Sequence, residues 1–246
     1  MAEGKQTVLA HITELRRRLI LILVVNLAAA IFCFHWVEPL MELLLALGSR
    51  YSLVYIAPGE LFGVYVQVAL VCGISLAMPF TLFQLWMFVA KGLYRKEKVV
   101  AALSLVFAGV FFAGGVYFAY RLVLPTMLDF FLRIAMGSIS SMISVSQFLS
   151  FVLTTLLCFG IVFEMPVAAA LLSAFGLLRP GTIRKYQPTI IVIIFILAAA
   201  LTPPDVVSQL MLAVPMVVLL QLSIGLCWLV WKLRGKKNGS LTVENG

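Results

Sequence analysis

Charged residues are scarce in this sequence: 18 Lys and Arg and 10 Asp and Glu make up only 11% of its 246 residues. Soluble globular proteins carry about 25% charged residues and about 45–50% apolar ones, whereas 63% of this chain is hydrophobic. So few charges cannot cover the surface of a globule in water, which excludes a water-soluble fold. The length is sufficient for six membrane-spanning helices of about 20 residues each, joined by short connections.

The sequence also lacks the residue patterns of an enzyme or a cofactor site. Its four cysteines lie inside apolar runs without C-x-x-C spacing, and its two histidines stand at opposite ends of the first run, so we expect neither a disulfide nor a metal site. A phosphate-binding G-x-x-x-x-G-K-[ST] loop is absent from the sequence. The net charge of +8 comes from bases beside apolar runs, which favours the lipid surface over nucleic acid. We therefore predict no catalytic residue, no cofactor and no nucleic-acid partner.

Long apolar runs, separated by Pro, Gly and charged residues, are the main positive signal. The six runs are 19–37, 64–90, 99–124, 151–178, 190–201 and 206–231. The fifth run of about 12–14 residues reaches only roughly 20 Å, less than the hydrocarbon core of about 30 Å. We predict a single all-α membrane domain over 1–234, followed by a disordered polar tail at 235–246.

The basic residues predict how the chain is oriented in the membrane. Fifteen of the 18 Lys and Arg residues precede the first run, follow the sixth, or lie in the second-to-third and fourth-to-fifth connections. Arg50, Arg121 and Arg133 fall on the opposite side. The positive-inside rule therefore puts both termini in the cytoplasm. Segment 7–19 has apolar residues along one helical face, so we expect it to lie on the cytoplasmic membrane surface before the chain turns inward.

Glu164 is an acidic residue near the middle of the fourth apolar run, between Phe163 and Met165. An ionisable side chain at membrane depth is costly and is a functional candidate by default. It fits a proton or ion site, or a polar contact for a partner helix; the alternative is a Glu that hydrogen-bonds to a neighbouring helix. The polar side chains available for that bond are Gln67, Gln84, Thr154, Gln209 and Gln221.

Two further acids lie in segments that the basic residues assign to the cytoplasm. Glu14 precedes Arg18 by four residues, and this spacing favours a simple ion pair along one helix. Glu97 lies among four bases at 91–98. It could receive a guanidinium through two parallel hydrogen bonds or pair with its own neighbours, and the spacing leaves both alternatives open.

Four strings occur in order along almost the whole chain: HITELRRRL at 11–19, FQLWMFVAKGLYRKE at 83–97, FGIVFEMP at 159–166 and LTPPDVVSQ at 201–209. Together they resemble the TatC family, the polytopic receptor subunit of the twin-arginine protein translocase. The resemblance implies a concave bundle of six helices with an outer-loop cap, in the bacterial cytoplasmic (inner) membrane. One position departs from the family pattern, because Lys91 stands where the family usually has proline.

By resemblance, the chain is expected to bind the paired arginines of signal peptides on folded export substrates and to use the proton-motive force. Its implied partners are single-span subunits of the TatA and TatB type, further copies of itself within the complex, and membrane lipids. Position by position, the resemblance assigns signal-peptide binding to Glu14, Arg16, Phe88 and Glu97, partner-helix docking in the membrane to Glu164 and Gln209, and the outer loops to Pro39, Pro58, Glu60, Pro203, Pro204 and Asp205.

Two other functions are compatible with the residues. A small ion-coupled secondary transporter would use Glu164 as its protonatable site and would carry protons without partner subunits. A structural scaffold would tolerate charge reversal at Glu14 and Glu97 without any effect on cargo.

Overall fold

A computed structural model of the chain describes residues 2–55, 57–89, 95–134, 142–202 and 205–243. The side chains that it describes are those of 12–55, 57, 59–85, 87, 105–133, 143–202 and 205–233. Phe88, Glu97 and Pro58 have side chains outside these ranges, and Lys91, Pro203 and Pro204 lie outside the described residues altogether.

The described part of the chain is almost entirely helical. A π-helical turn at Ala119–Val123 joins two of the helices, and short strands β1 (Ser52–Val54) and β2 (Met142–Ser144) pair in parallel with Leu53 opposite Ile143. The helices are α1 (Ala2–His35), α2 (Val37–Leu45), α3 (Pro58–Val89), α4 (Arg95–Phe118), α5 (Leu124–Ile134), α6 (Val145–Ala174), α7 (Pro180–Leu201) and α8 (Val206–Val243).

Within the residues that the structure describes, six stretches are long and apolar enough to cross a membrane. They are Ile12–His35, Gly59–Leu85, Leu105–Arg133, Val145–Ala174, Pro180–Leu201 and Val206–Leu233. The prediction of an all-α membrane protein with six spans is therefore confirmed. Many of the large apolar side chains on these helices are exposed in the isolated chain, as expected where lipid rather than water surrounds them.

The fifth spanning helix is longer than the apolar run that predicted it. It begins at Pro180 and has 22 residues, which at 1.5 Å per residue is about 33 Å, enough to cross the hydrocarbon core. Proline suits the first position of a helix, because its missing N–H would have no helical partner there. The polar turns after Arg179 are therefore helical, although their hydropathy gives no sign of it, and a span of full length replaces the predicted short one.

Both ends of the chain continue as helix where the sequence suggests otherwise. α1 runs unbroken from Ala2 to His35, without the expected turn after segment 7–19, because residues 5–35 contain neither Gly nor Pro to interrupt the helix. α8 continues to Val243, into the tail expected to be disordered. The sequence has no proline after Pro215, and each added helical residue gains a backbone hydrogen bond.

Contacts divide the chain into two compact units: residues 1–109 with 140–153, and residues 110–139 with 154–246. In the first unit, α1 lies antiparallel to α3. A Cβ atom added to Gly73 would lie 2.5 Å from the Cα atom of Ala30, so the two backbones are nearly in contact. Nearby, Asn26 Nδ2 donates a hydrogen bond of 3.0 Å to Thr81 Oγ1. Small residues and polar contacts thus hold this pair of helices together, as is usual in membranes.

In the second unit, aromatic rings and a glycine join α4 to α6. The ring of Phe118 lies 5.9 Å from that of Phe159 and 5.4 Å from that of Phe163, measured between centroids. A Cβ atom added to Gly115 would lie 2.6 Å from the carbonyl oxygen of Phe159. α6 also contacts α8, where the Ser173 hydroxyl donates to the carbonyl of Cys227 at 3.0 Å. These contacts fix the part of α6 that carries Glu164.

Candidate functional site

Glu14 lies on α1 and its carboxylate holds a guanidinium. Arg18, one helical turn further on, donates to Glu14 Oε1 from Nη2 at 2.7 Å and from Nε at 2.9 Å. The side chains of Arg18 and Glu14 are only 11% and 16% exposed. The ion pair that the four-residue spacing favours is therefore present, and it is shielded from the surroundings more than most surface pairs are.

Arg18 also connects this pair to α3. Its Nη1 donates to the side-chain Oε1 of Gln84 at 3.2 Å and to the backbone carbonyl of the same residue at 3.3 Å. Gln84 is 7% exposed. We call Glu14, Arg18 and Gln84 the Glu14 cluster. It lies near the end of α3, whose last residue is Val89.

The Glu14 cluster contains only one of the four residues assigned to signal-peptide binding. Arg16 is on the same helix and is exposed. Phe88 follows Gln84 by four residues in α3, and Glu97 is the third residue of α4, but the side chains of both lie outside the described ones. Arg18 and Gln84 were not predicted as members of the site. The available signal was weak, since Gln84 is simply a polar residue inside an apolar run.

Glu164 lies within α6 and is half-buried. Its carboxyl oxygen Oε1 is buried and has no hydrogen-bond partner in the described part of the chain. Pro166, two residues later in the same helix, has no N–H to donate to the carbonyl of Val162. This turn of α6 therefore combines a buried acidic oxygen with a backbone acceptor that lacks its usual helical donor.

Three of the polar side chains considered as partners of Glu164 make other bonds, one of them being Gln84 of the Glu14 cluster. Gln67 Oε1 accepts from the Ser150 hydroxyl at 2.9 Å. Gln209 Nε2 donates to the carbonyl of Phe195 at 3.0 Å, which links α8 to α7. None of these bonds involves Glu164, whose buried Oε1 has no hydrogen-bond partner in the described part of the chain.

Glu60 joins two segments of the first unit that are distant in sequence. Its Oε1 accepts from the hydroxyl of Ser144 in β2 and, at 3.2 Å, from the amide of Ser146 in the first turn of α6. Its Oε2 accepts from the amide of Ala57 at 3.3 Å, just before α3. The carboxylate thus lies at the N-termini of α3 and α6, where a negative charge is favourable. Pro39 is exposed in the first turn of α2.

Asp205 caps the N-terminus of α8. The hydroxyl of Ser208 donates to its Oδ2, and the amide of Ser208 donates to its Oδ1 at 2.8 Å. The hydrogen bond from the hydroxyl, followed by that from the amide, lowers the pKa of the Asp205 carboxyl below its usual value of 3.8. This arrangement satisfies an amide in the first turn that has no partner within the helix.

Replacing Asp205 with alanine is expected to lower the free energy of unfolding by about 1 kcal/mol at pH 7, the usual value of an N-cap. Because the pKa is lower in the folded chain, the carboxylate stabilises the fold above pH 3.8 and loses this effect as the pH falls through the lowered value. Thermal unfolding in detergent should therefore give a smaller difference at pH 3 than at pH 7. Asp205→Asn, which keeps a capping oxygen, is the control, and a pH-independent difference would contradict the assignment.

A family model described as Sec-independent protein translocase protein (TatC) matches residues 10–215. The chain belongs to the TatC family. The TatC protein of Koribacter versatilis is 35% identical to it, over 97% of this chain and 91% of that relative. The TatC protein of Helicobacter pylori strain J99 is 36% identical, over 87% of this chain and 86% of that relative. A crystal structure of the twin arginine translocase receptor TatC superposes with a TM-score of 0.82 at 31% identity, covering 89% of this chain and 99% of that one.

Membership in the TatC family gives the chain its general role. It is a multi-pass membrane subunit of a Sec-independent protein translocase. Members of this family take part in protein transport and are not enzymes. The resemblance seen in the four sequence strings is confirmed. The helical fold described above is shared with the solved TatC structures over most of both chains.

Proposed function

We propose that this chain is the receptor subunit of the translocase and binds the paired-arginine signal peptide of folded export substrates. The observation that carries the proposal is the Glu14 carboxylate, which accepts two N–H groups of one guanidinium at 2.7 and 2.9 Å. A carboxylate in that position is suited to an arginine ligand, because the planar guanidinium offers several donors in a fixed geometry and lysine offers a point charge.

The remaining predicted residues complete a receptor surface. Glu97 supplies a second carboxylate for the second arginine, and Arg16 and Phe88 belong to the surface around them. Each of the two adjacent arginines then has its own carboxylate, so neither positive charge is left without a partner. The apolar part of the signal peptide then enters the membrane beside the spanning helices.

Glu164 and Gln209 are proposed to contact helices within the membrane. The buried Oε1 of Glu164 has no hydrogen-bond partner in the described part of the chain, and an acceptor in that environment gains most from a donor on a docked helix. The docked helix would be that of a single-span TatA- or TatB-type subunit or of the inserted signal peptide. Further copies of this chain complete the complex, and the proton-motive force drives transport.

Both termini are proposed to face the cytoplasm of a bacterial inner membrane. The positive-inside rule supports this orientation. Bases also lie over aromatic rings at the start of α7 and near the end of the sixth apolar stretch, Val206–Leu233. Arg179 lies over the ring of Trp231 at 6.0 Å, and Lys232 over that of Trp228 at 4.9 Å. Such pairs are typical of helix ends at the membrane interface.

Photo-crosslinking to a signal peptide would test the receptor assignment. A photoreactive residue at position 16 or 88, in membranes without the small subunits, is expected to crosslink an Arg-Arg peptide at least about tenfold more than a Lys-Lys peptide, since each lost bidentate contact costs more than about 1.4 kcal/mol. Glu97→Lys or Glu14→Lys should remove this preference. Glu42→Lys, at an exposed acid of α2, is the matched control.

Equal crosslinking to both peptides would refute the receptor assignment. A proton flux through the purified chain alone, abolished by Glu164→Gln, would instead favour the ion-coupled transporter. If charge reversal at Glu14 and Glu97 changes neither crosslinking nor transport, a structural scaffold would be favoured. Family membership already favours a translocase subunit over these alternatives.

A further inference from the structure

Arg18 occupies the same carboxylate that the proposed function assigns to a signal-peptide arginine. Both of its bonds to Glu14 converge on one oxygen, Oε1. Nε and Nη2 of Arg18 use both lone pairs of this oxygen. A second guanidinium that binds through two parallel hydrogen bonds needs both carboxylate oxygens, so it has to displace Arg18. An arginine of the chain itself thus already binds the Glu14 carboxylate through Oε1.

Gln84 gives Arg18 a second attachment that does not depend on Glu14. The bonds from Arg18 Nη1 end on the side-chain and backbone oxygens of Gln84, at 3.2 and 3.3 Å. These bonds can persist when Nε and Nη2 leave the carboxylate. Gln84 itself is buried and belongs to a different helix, so it stays in place while a ligand replaces Arg18 at Glu14.

We propose that Arg18 is an internal competitor for the Glu14 carboxylate, and that a signal-peptide arginine binds by displacing it onto Gln84. The proposal rests on the proposed function of Glu14 as a ligand for the signal peptide. An incoming arginine replaces the lost bonds with an equivalent pair, whereas a lysine replaces them with a point contact. Arg18 therefore lowers the affinity of the site for every ligand that has to displace it.

If Arg18 only orients Glu14, replacing Arg18 is expected to change the affinity for the signal peptide in the opposite direction. In that case the loss of Arg18 would leave the carboxylate poorly positioned, and binding would weaken. Competition predicts tighter binding when the competitor is removed, as for any two ligands of one site. The direction in which the affinity changes therefore distinguishes competition from an orienting role of Arg18.

The test uses the full chain in lipid nanodiscs and a fluorescent signal peptide with Arg-Arg or Lys-Lys. Arg18→Gln is expected to tighten binding of the Arg-Arg peptide about threefold to tenfold, the range of a shielded ion pair of about 0.6–1.4 kcal/mol. Lys-Lys binding should tighten by the same factor or less, because removing a competitor changes the affinity of every displacing ligand equally. Arg18→Lys should give an intermediate result, and it keeps the ion pair in case the glutamine variant folds poorly.

Arg17→Gln is the matched control, because it removes the same charge from an exposed position of the same helix. It is expected to change the binding of either peptide by less than about twofold, because an exposed charge is screened by solvent and salt. Weaker binding of the Arg-Arg peptide to both Arg18 variants, with unchanged thermal unfolding, would overturn the competition. Glu14→Gln tests the proposed function separately from the competition. If this variant leaves Arg-Arg binding unchanged, Glu14 is not a ligand of the signal peptide.

Discussion

Gly73→Val is expected to prevent stable packing of α1 on α3 and to lower the free energy of unfolding by at least about 3 kcal/mol, at the upper end of the cost of overpacking. A Cβ atom at position 73 would lie 2.5 Å from both the Cα and the N atom of Ala30, and 2.9 Å from the carbonyl carbon of Ala29. These are backbone atoms, so no side-chain rotation can relieve the overlap. The two helices would have to separate along their contact.

Gly63→Val is the matched control for this prediction. Gly63 lies on the same helix, and an added Cβ atom there would meet nothing within 4 Å, so both variants carry the same intrinsic cost of valine in a helix. Thermal unfolding in detergent should give a much lower midpoint for Gly73→Val than for Gly63→Val. Equal midpoints would mean that α1 and α3 do not approach as closely as the structure has them.

The same substitution is expected to disturb the Glu14 cluster from a distance. Arg18 reaches Gln84 across the α1–α3 contact, so helices that separate at Gly73 lengthen bonds of 3.2–3.3 Å that have little room to stretch. A variant that still folds in part should therefore lose the Gln84 attachment of Arg18. The affinity for the signal peptide is the readout for this effect.

The fold was largely predictable from the sequence because span number depends on composition. Six apolar runs predict six helices, and the four-residue spacing predicts the bond between Glu14 and Arg18. The start of α7 at Pro180 was not predicted, since hydropathy responds to apolar residues and this helix begins with polar turns. Tertiary partners were not predicted either: Gln84 is 66 residues from Arg18, and only the register between two helices brings them together.

The contacts of Gly73 and Glu60 could not be predicted from the sequence either. Hydropathy treats Gly73 as one more small apolar residue, although its position against Ala30 decides how closely two helices approach. The family resemblance assigned Glu60 to an outer loop, but its partner Ser144 is 84 residues away in sequence. Neither periodicity nor motif spacing carries information on such distant pairs.

Glu60→Leu is expected to lower the free energy of unfolding by about 2–4 kcal/mol, since hydrogen bonds to a charged group contribute about 1.5–3 kcal/mol each and are not fully additive. Three donors would lose their acceptor: the hydroxyl of Ser144, which is 6% exposed, and the amides of Ser146 and Ala57. Two helix N-termini would also lose a favourable negative charge. The loss should be largest where β2 leads into α6.

Glu60→Gln and Glu38→Leu make this prediction specific. Glutamine keeps one acceptor oxygen for Ser144 and Ser146 but presents an amide nitrogen to Ala57, so about half of the loss is expected to remain. Glu38 is an exposed acid in the first turn of α2, and its replacement should cost less than about 1 kcal/mol.

Hydrogen exchange of the amides in 52–54 and 142–144 locates the effect of these substitutions. β1 and β2 pair in parallel over only three residues each, too few to persist without further support. Because Glu60 bonds to Ser144 at the end of β2, exchange of these amides should accelerate in Glu60→Leu and stay slow in Glu38→Leu. Unchanged exchange in Glu60→Leu would mean that the strands, and not the carboxylate, hold the two segments together.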